Sequence, residues 1–210
     1  MPNALPNPKL DFWFDPASTY SYLSAMRIDG VAAEAGVDVT WRPFLLGPIF
    51  KAQGMETSPF SLFPIKGNYM WRDMQRLCAD LDLPFAVPQS AGAEGFPRNS
   101  LLAARASVVA LKQPWGRDFV RGVYTAEFGD WRDIADPAVI ADVVKLAGGD
   151  AEAVLAEAIA DGTKAELRAN TEEASSLGIF GAPTFVVGEE LFWGNDRLER
   201  AVAWAGGTAA

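Results

Sequence analysis

A chain of 210 residues, half of them apolar, is long enough to bury a substantial core as one domain with an insertion or as two small domains. Its formal charge of -9 argues against a protein that coats phosphate backbones, since such binding is driven by Lys and Arg contacts, and nucleic acid is not an expected partner. The absence of histidine removes Ser-His and Cys-His nucleophile pairs and His-ligated metal sites, and the single cysteine, Cys78, leaves no internal disulfide and no dithiol redox pair.

Residues 1 to 8 have neither the basic start nor the apolar centre of a signal peptide, and no run approaches the roughly 18 apolar residues of a membrane span. A cytoplasmic protein without a membrane partner is expected. Residues 10 to 14 read as a buried strand and residues 20 to 35 as a helix that Gly36 closes in a left-handed cap. Val37 to Phe44 alternates β-branched and aromatic residues with polar ones and reads as a second strand, completing a βαβ unit. From Leu45 to about Ser175 the pattern is helical, with loops at Gly47-Pro48, Ser58-Pro59, Leu83-Pro84, Val87-Pro88 and Gly148-Gly149. Helices are predicted over Tyr69 to Leu81, Ser100 to Leu111, Gly116 to Phe128, Pro137 to Ala147 and Ala151 to Ala160, with exposed-faced helical character through Leu177. Strand character returns at Thr184 to Gly188 and Leu191 to Trp193, around a turn at Glu189-Glu190, before a last helix from Asp196 to Ala205. Strands at both ends with helices between them predict one α/β domain interrupted by a helical insertion: residues 9–45 and 176–208 form the domain, and 46–175 the insertion.

Ser18 follows Asp15-Pro16-Ala17 at the junction of the first strand and first helix. On position alone it is a helix N-cap; the functional alternative is that its hydroxyl donates to a bound thiolate where backbone N–H groups point outward. Gly181-Ala182-Pro183-Thr184 enters a strand through a proline. A trans bond there is ordinary, whereas a cis bond would turn the Ala182 amide and carbonyl outward to pair with an extended peptide. At Gly194-Asn195-Asp196, either Asn195 or Asp196 serves as an N-cap, or the helix start takes a carboxylate while Asp196 accepts from an ammonium. Lys66 to Asp73 combines cations, aromatics and an amide at a helix start, and Lys66, Arg72 and Arg76 form a local basic group able to hold a carboxylate; a solvated helix start is the alternative. Asn99 reads as a cap, and Cys78, inside an apolar helical pattern, as core.

Five segments in order, Phe14-Asp15 with Ser18 to Leu23, Lys66 to Asp73, Phe96 to Arg105, Gly178 to Phe185 and Phe192 to Leu198, resemble the 2-hydroxychromene-2-carboxylate isomerase family, which is glutathione-dependent and related to kappa-class glutathione transferases. The resemblance spans about residues 10 to 205 and implies a thioredoxin-like fold with a large all-helical insertion. It implies that Ser18 activates glutathione, that Pro183 is a cis-proline, that Ala182 meets the tripeptide backbone, and that Asn195 and Asp196 hold its γ-glutamyl end. Lys66, Tyr69, Trp71 and Arg72 would face a small aromatic carboxylate. The implied reaction interconverts 2-hydroxychromene-2-carboxylate and trans-o-hydroxybenzylidenepyruvate in naphthalene-type degradation, with no metal, in a homodimer. A conjugating kappa-like transferase and a non-catalytic thioredoxin-fold binding module are the alternatives. Thr19 departs from the family's usual Pro after the serine, so the first helical turn loses a preset φ while the Ser18 hydroxyl remains.

Overall fold

The computed structural model describes residues 8–86 and 95–207. The Val87-Pro88 loop signal, the first seven residues and residue 208 of the predicted C-terminal segment lie outside the described residues. Strand β1 (Lys9–Phe14) is apolar on both faces: Leu10, Phe12 and Phe14 enter one buried cluster and Trp13 another. A strand buried on both sides belongs inside a sheet. It pairs in parallel with β2 (Asp38–Pro43) and antiparallel with β3 (Thr184–Val187), and β4 (Glu190–Trp193) covers β3, giving the order β2-β1-β3-β4. The registers set Phe12 opposite Trp41 and Phe185, and the Phe12 ring lies 5.0 Å and 5.6 Å from theirs.

Helix α1 (Thr19–Glu34) makes the crossover from β1 to β2, and Gly36 follows it at φ 65°, the left-handed conformation expected there. Between β2 and β3 lie α2 (Leu46–Ala52), α3 (Pro59–Leu62), α4 (Pro64–Asp80), α5 (Leu101–Ala110), α6 (Gly116–Tyr124), α7 (Pro137–Leu146), α8 (Ala151–Ala158) and α9 (Asp161–Ser176). Helices α2 and α3 fall where Gly47-Pro48 and Ser58-Pro59 suggested loops. In both, the proline sits in the first turn, where its missing N–H costs nothing, and in α3 the Ser58 hydroxyl accepts from the Phe60 amide. The helix predicted through Phe128 widens after Tyr124 into a π-helical turn, Thr125–Gly129. Asp136 and Asp150 cap α7 and α8 through their carboxylates. After β4, a 3₁₀ turn at Asn195–Arg197 leads into α10 (Leu198–Ala205).

One apolar cluster runs from Phe12, Leu23 and Phe185 of the sheet domain to Met70, Phe119, Val144 and Val154 of the intervening helices. Among the described residues no helix is long and apolar enough to cross a membrane. Phe12 joins the sheet to this core through three aromatic neighbours, Phe14, Trp41 and Phe185, on three strands and is fully buried. Phe12→Ala is expected to lower unfolding free energy by about 3–5 kcal/mol, read from the urea midpoint at constant slope.

Candidate active site

The chain turns from β1 into α1 over Asp15 to Ser18, and Asp15 fixes that turn. Its buried carboxylate accepts from the Ala17 amide at 2.9 Å and from the Leu46 amide at 2.8 Å, while its carbonyl accepts from the Ser18 amide at 2.9 Å and the Tyr124 hydroxyl at 2.9 Å. Burial pushes the Asp15 carboxyl up, and the Leu46 and Ala17 amides oppose that shift. Ser18 occupies the N-cap position of α1, but its side chain caps nothing. Its hydroxyl instead donates to the Ala182 carbonyl at 3.0 Å, across the gap between the two ends of the chain. The capping reading therefore does not hold, and the Ala182-Pro183 bond, left open by the sequence, is cis. Thr19 still opens the helix; its buried hydroxyl donates to the Met70 sulfur of α4 at 3.3 Å, a side-chain anchor in place of a ring constraint.

Ser18 and Ala182 lie on the wall of a cavity of about 1030 Å³, with Phe180, Gly181, Trp193, Gly194, Asn195 and Asp196 on the same side. That size is at the top of the roughly 300–1,000 Å³ range of small-molecule sites. Gly194 has φ 107°, a backbone conformation that favours glycine, and the Asp196 Oδ1 lies 2.6 Å from where a Cβ would sit. The Gly194 amide donates to the Pro183 carbonyl at 2.9 Å, which joins the Ala182-Pro183 corner to the Asn195-Asp196 turn. The Asn195 Oδ1 accepts from the Ser24 hydroxyl and from Arg27, both on α1. The side chains of Asn195 and Asp196 do not cap α10, whose N-cap is Arg197. The four residues predicted to hold the tripeptide are thus contiguous: Ala182, Asn195 and Asp196 line the cavity with Ser18, and Pro183 ties their two loops together.

The predicted substrate-facing group separates. Only Lys66 lines the cavity, exposed, with its ammonium 4.9 Å from the centre of the Phe63 ring. At about 100° per residue, Lys66, Asp73 and Leu77 of α4 share one narrow arc toward the cavity, whereas Trp71 and Arg72 lie about 120–140° away. Trp71 packs instead against Phe96 at 4.8 Å, Trp131 at 6.2 Å and Phe85 at 6.4 Å. Arg72 is exposed and donates to Gln75, and Tyr69, 62 % exposed, is not on the cavity wall. Two other α1 and α4 residues meet there: the Tyr20 hydroxyl donates to Asp73 at 3.0 Å, and burial, with Asp73 second, pushes the phenol well above its usual range.

The sequence reading missed Arg98, which took second place to Asn99, itself an acceptor for the Leu101 amide at the start of α5. Arg98 lines the cavity with its side chain 11 % exposed. Its guanidinium carbon lies 4.4 Å over the Trp131 ring, and Nη2 donates to the Trp131 carbonyl at 3.1 Å. Trp131 has φ 55°, a strained left-handed conformation for a bulky side chain, and this brings its carbonyl and ring to bear on one arginine. Behind Arg98 stands Glu127 of the π-helical turn, fully buried, 3.7 Å from Nε and with no hydrogen-bond partner on either oxygen. Burial pushes the Glu127 carboxyl up to about 8, against the opposing pull of Arg98. Cys78 is core, as expected, and burial pushes its thiol up to about 12.

A four-stranded mixed sheet with a helix N-terminus facing a proline corner defines a thioredoxin-like protein, and the site lies where that helix begins. The model of the DSBA-like thioredoxin domain matches residues 9–203, and the chain belongs to that family. A 2-hydroxychromene-2-carboxylate isomerase of Sphingobium xenophagum is 27% identical over 191 residues, covering 90% of this chain and 94% of the relative. The Homo sapiens glutathione S-transferase kappa 1 is 29% identical over 199 residues, covering 90% and 87%. A solved 2-hydroxychromene-2-carboxylate isomerase superposes with a TM-score of 0.80 over 94% of both chains at 24% identity, which shows the shared fold. The homologues are enzymes, and the sheet with its helices agrees with the fold of the solved isomerase.

Glu127 gives the site a measurable pH signature. The unfolded carboxyl titrates near 4.5 and the folded one near 8, so between these values the folded state keeps a proton that the unfolded state has released. Stability therefore falls as pH rises from about 4.5 to about 8, by on the order of 5 kcal/mol, and levels off above. Glu127→Gln, which does not ionise, is expected to remove most of that slope, read from urea midpoints between pH 5 and pH 8.5.

Proposed function

We propose that this protein is a cytoplasmic glutathione-dependent isomerase that interconverts 2-hydroxychromene-2-carboxylate and trans-o-hydroxybenzylidenepyruvate. The observation that carries the reading is the Ser18 hydroxyl, on the cavity wall at the start of α1, engaged with the Ala182 carbonyl and not with its own helix. The donor set suits a tripeptide with two carboxylates, one ammonium and one thiol. The α1 start and the Ser18 hydroxyl favour an anionic sulfur, the main chain at Ala182 offers β-like pairing, Asp196 accepts from an ammonium, and Lys66 meets a carboxylate.

When bound, glutathione supplies a thiolate that adds to the conjugated carbon, frees the former double bond to rotate and leaves unchanged. The chain's task is to keep the sulfur ionised. A thiol near pKa 8.5 is only about three per cent ionised at pH 7, and lowering that pKa by about two units takes roughly 2.7 kcal/mol. One hydrogen bond to a charged group supplies about 1.5–3 kcal/mol and a helix N-terminus about 0.3–1, so Ser18 on α1 suffices without histidine. The hydroxyl has one proton, and rotation about the Cβ–Oγ bond redirects its hydrogen bond from the Ala182 carbonyl to the sulfur. Glutathione conjugation to electrophiles is the second reading, favoured by the kappa-class relative; it uses the same Ser18 and differs in that the product retains sulfur.

The test follows the absorbance of the chromene acid with and without glutathione. Glutathione-dependent conversion to a sulfur-free product is expected, and Ser18→Ala should lower kcat/KM by about 10²-fold at unchanged fold. Absence of glutathione-dependent conversion would sink the isomerase reading, and a sulfur-containing product would replace it with the transferase.

A further inference from the structure

Among the described residues, four carboxylates line the cavity, Asp15, Glu56, Asp73 and Asp196, against two cations, Lys66 and Arg98. The cations are held differently. Lys66 is exposed on the first turn of α4, with its ammonium over the Phe63 ring, and a Lys is a point charge without preferred direction. Arg98 is nine-tenths covered and held by the Trp131 ring and carbonyl, with the buried Glu127 side chain behind it. That support is itself braced, because Trp71 sets its edge against both Trp131 and the cavity-lining Phe96.

The accounting of Arg98's donors points to a ligand. A guanidinium has five N–H groups, and among the described residues only one hydrogen bond from Arg98 is made, to the Trp131 carbonyl. Nε is buried without a hydrogen-bond partner. Glu127 does not spend the rest: it stands at 3.7 Å, beyond hydrogen-bond reach, and with its carboxyl raised to about 8 it is mostly the neutral acid at pH 7. A covered, preorganised guanidinium with unspent donors on a cavity wall matches the planar, two-oxygen geometry of a carboxylate. The surrounding rings, Phe96 and Trp131, suit an aromatic body on that carboxylate.

We propose that Arg98 is the specificity-determining residue of the cavity and receives the carboxylate of the aromatic second substrate. The inference rests on the glutathione-dependent reading of the site and adds to it the group by which an acid is chosen over a neutral electrophile. Lys66, the one cation of the motif Lys66 to Arg72 that reaches the cavity, is left for the tripeptide. A tripeptide also carries carboxylates, so the experiment separates the two sources.

Arg98→Gln and Arg98→Lys are compared with the wild-type full-length protein, with circular dichroism and thermal melting as the check on folding. Turnover is measured with the chromene acid and with its methyl ester, and glutathione KM is measured for each variant. In parallel, tryptophan fluorescence follows binding of trans-2-hydroxycinnamate and of its amide without glutathione. Arg98→Gln is expected to lower the acid-to-ester ratio of kcat/KM by about 30-fold or more, and Arg98→Lys by a smaller factor, because charge without the fork restores part of the contact. Cinnamate binding should weaken in step while amide binding holds. Equal losses for acid and ester would overturn the proposal, since they mark a structural role. So would an unchanged acid-to-ester ratio with glutathione KM raised about tenfold, which assigns Arg98 to the tripeptide. If Arg98→Gln does not fold, Arg98→Lys decides by the same ratio. If the wild-type protein turns over neither compound, the isomerase reading fails by itself, and the fluorescence arm decides Arg98: selective loss of the cinnamate supports it, and equal binding overturns it.

Discussion

The carboxylate of Asp15 lies between two loops that have no covalent reason to be neighbours. It takes the Ala17 amide on one oxygen and the Leu46 amide on the other, and its main-chain carbonyl takes Ser18 and Tyr124. Hydrogen bonds to a charged acceptor are worth about 1.5–3 kcal/mol each, so these contacts offset a substantial burial penalty. What they fix is the exit of the central strand, the entry of α1, the start of α2 and, through Tyr124, the π-helical turn that carries Glu127. Ser18 and the helix that leads into the Glu127 turn are thus both tied to this one buried acid.

The helix start at Ser18 shows how a local preference is overridden by a distant one. A serine at an N-cap ordinarily satisfies its own helix, yet here the Ala182 carbonyl, 164 residues on, takes the proton. The hydroxyl is thereby held at the cavity wall with a weak neutral partner that a stronger, charged acceptor displaces. The Arg98 corner is the complementary case. A left-handed tryptophan, a widened helical turn and a buried acid without hydrogen bonds are each unfavourable alone, and they coincide around one guanidinium.

Much of this was written in the sequence where periodicity is strong. The β1 run, α1 with its Gly36 stop, β2, the terminal hairpin and α5 to α8 follow from patterns of 2.0 and 3.6, and the placement of Ser18, Ala182, Asn195 and Asp196 around one cavity agrees with the motifs that named them. Short helices around prolines were not legible, because Pro48 and Pro59 mark a loop and a first helical turn equally well. Proximity along the chain misled at Lys66 to Arg72. Consecutive residues of a helix radiate in all directions, and a shared motif does not give a shared face, so Trp71 became a brace and Arg72 a surface residue. Arg98 was hidden for the opposite reason: its partners, Glu127 and Trp131, lie about 30 residues away, and its neighbour Asn99 carried the more familiar capping signal.

The discontinuous sheet has a consequence for how the molecule comes into being. The strand β1 is made well before its antiparallel neighbour β3, which begins at Thr184, about 170 residues later. At roughly 5–20 residues per second, a ribosome takes about 10–30 s to deliver it. During that interval β1, with Phe12 and Trp13 on opposite faces, has β2 on one edge and nothing of its own chain on the other. The nascent protein therefore presents an apolar, half-paired strand edge until β3 is made, which is the surface on which holding chaperones act and from which aggregation starts. Arrival of β3 and the turn after β4 closes that edge and, in the same step, brings Ala182 and Asp196 to Ser18, so completion of the sheet and assembly of the site are a single event.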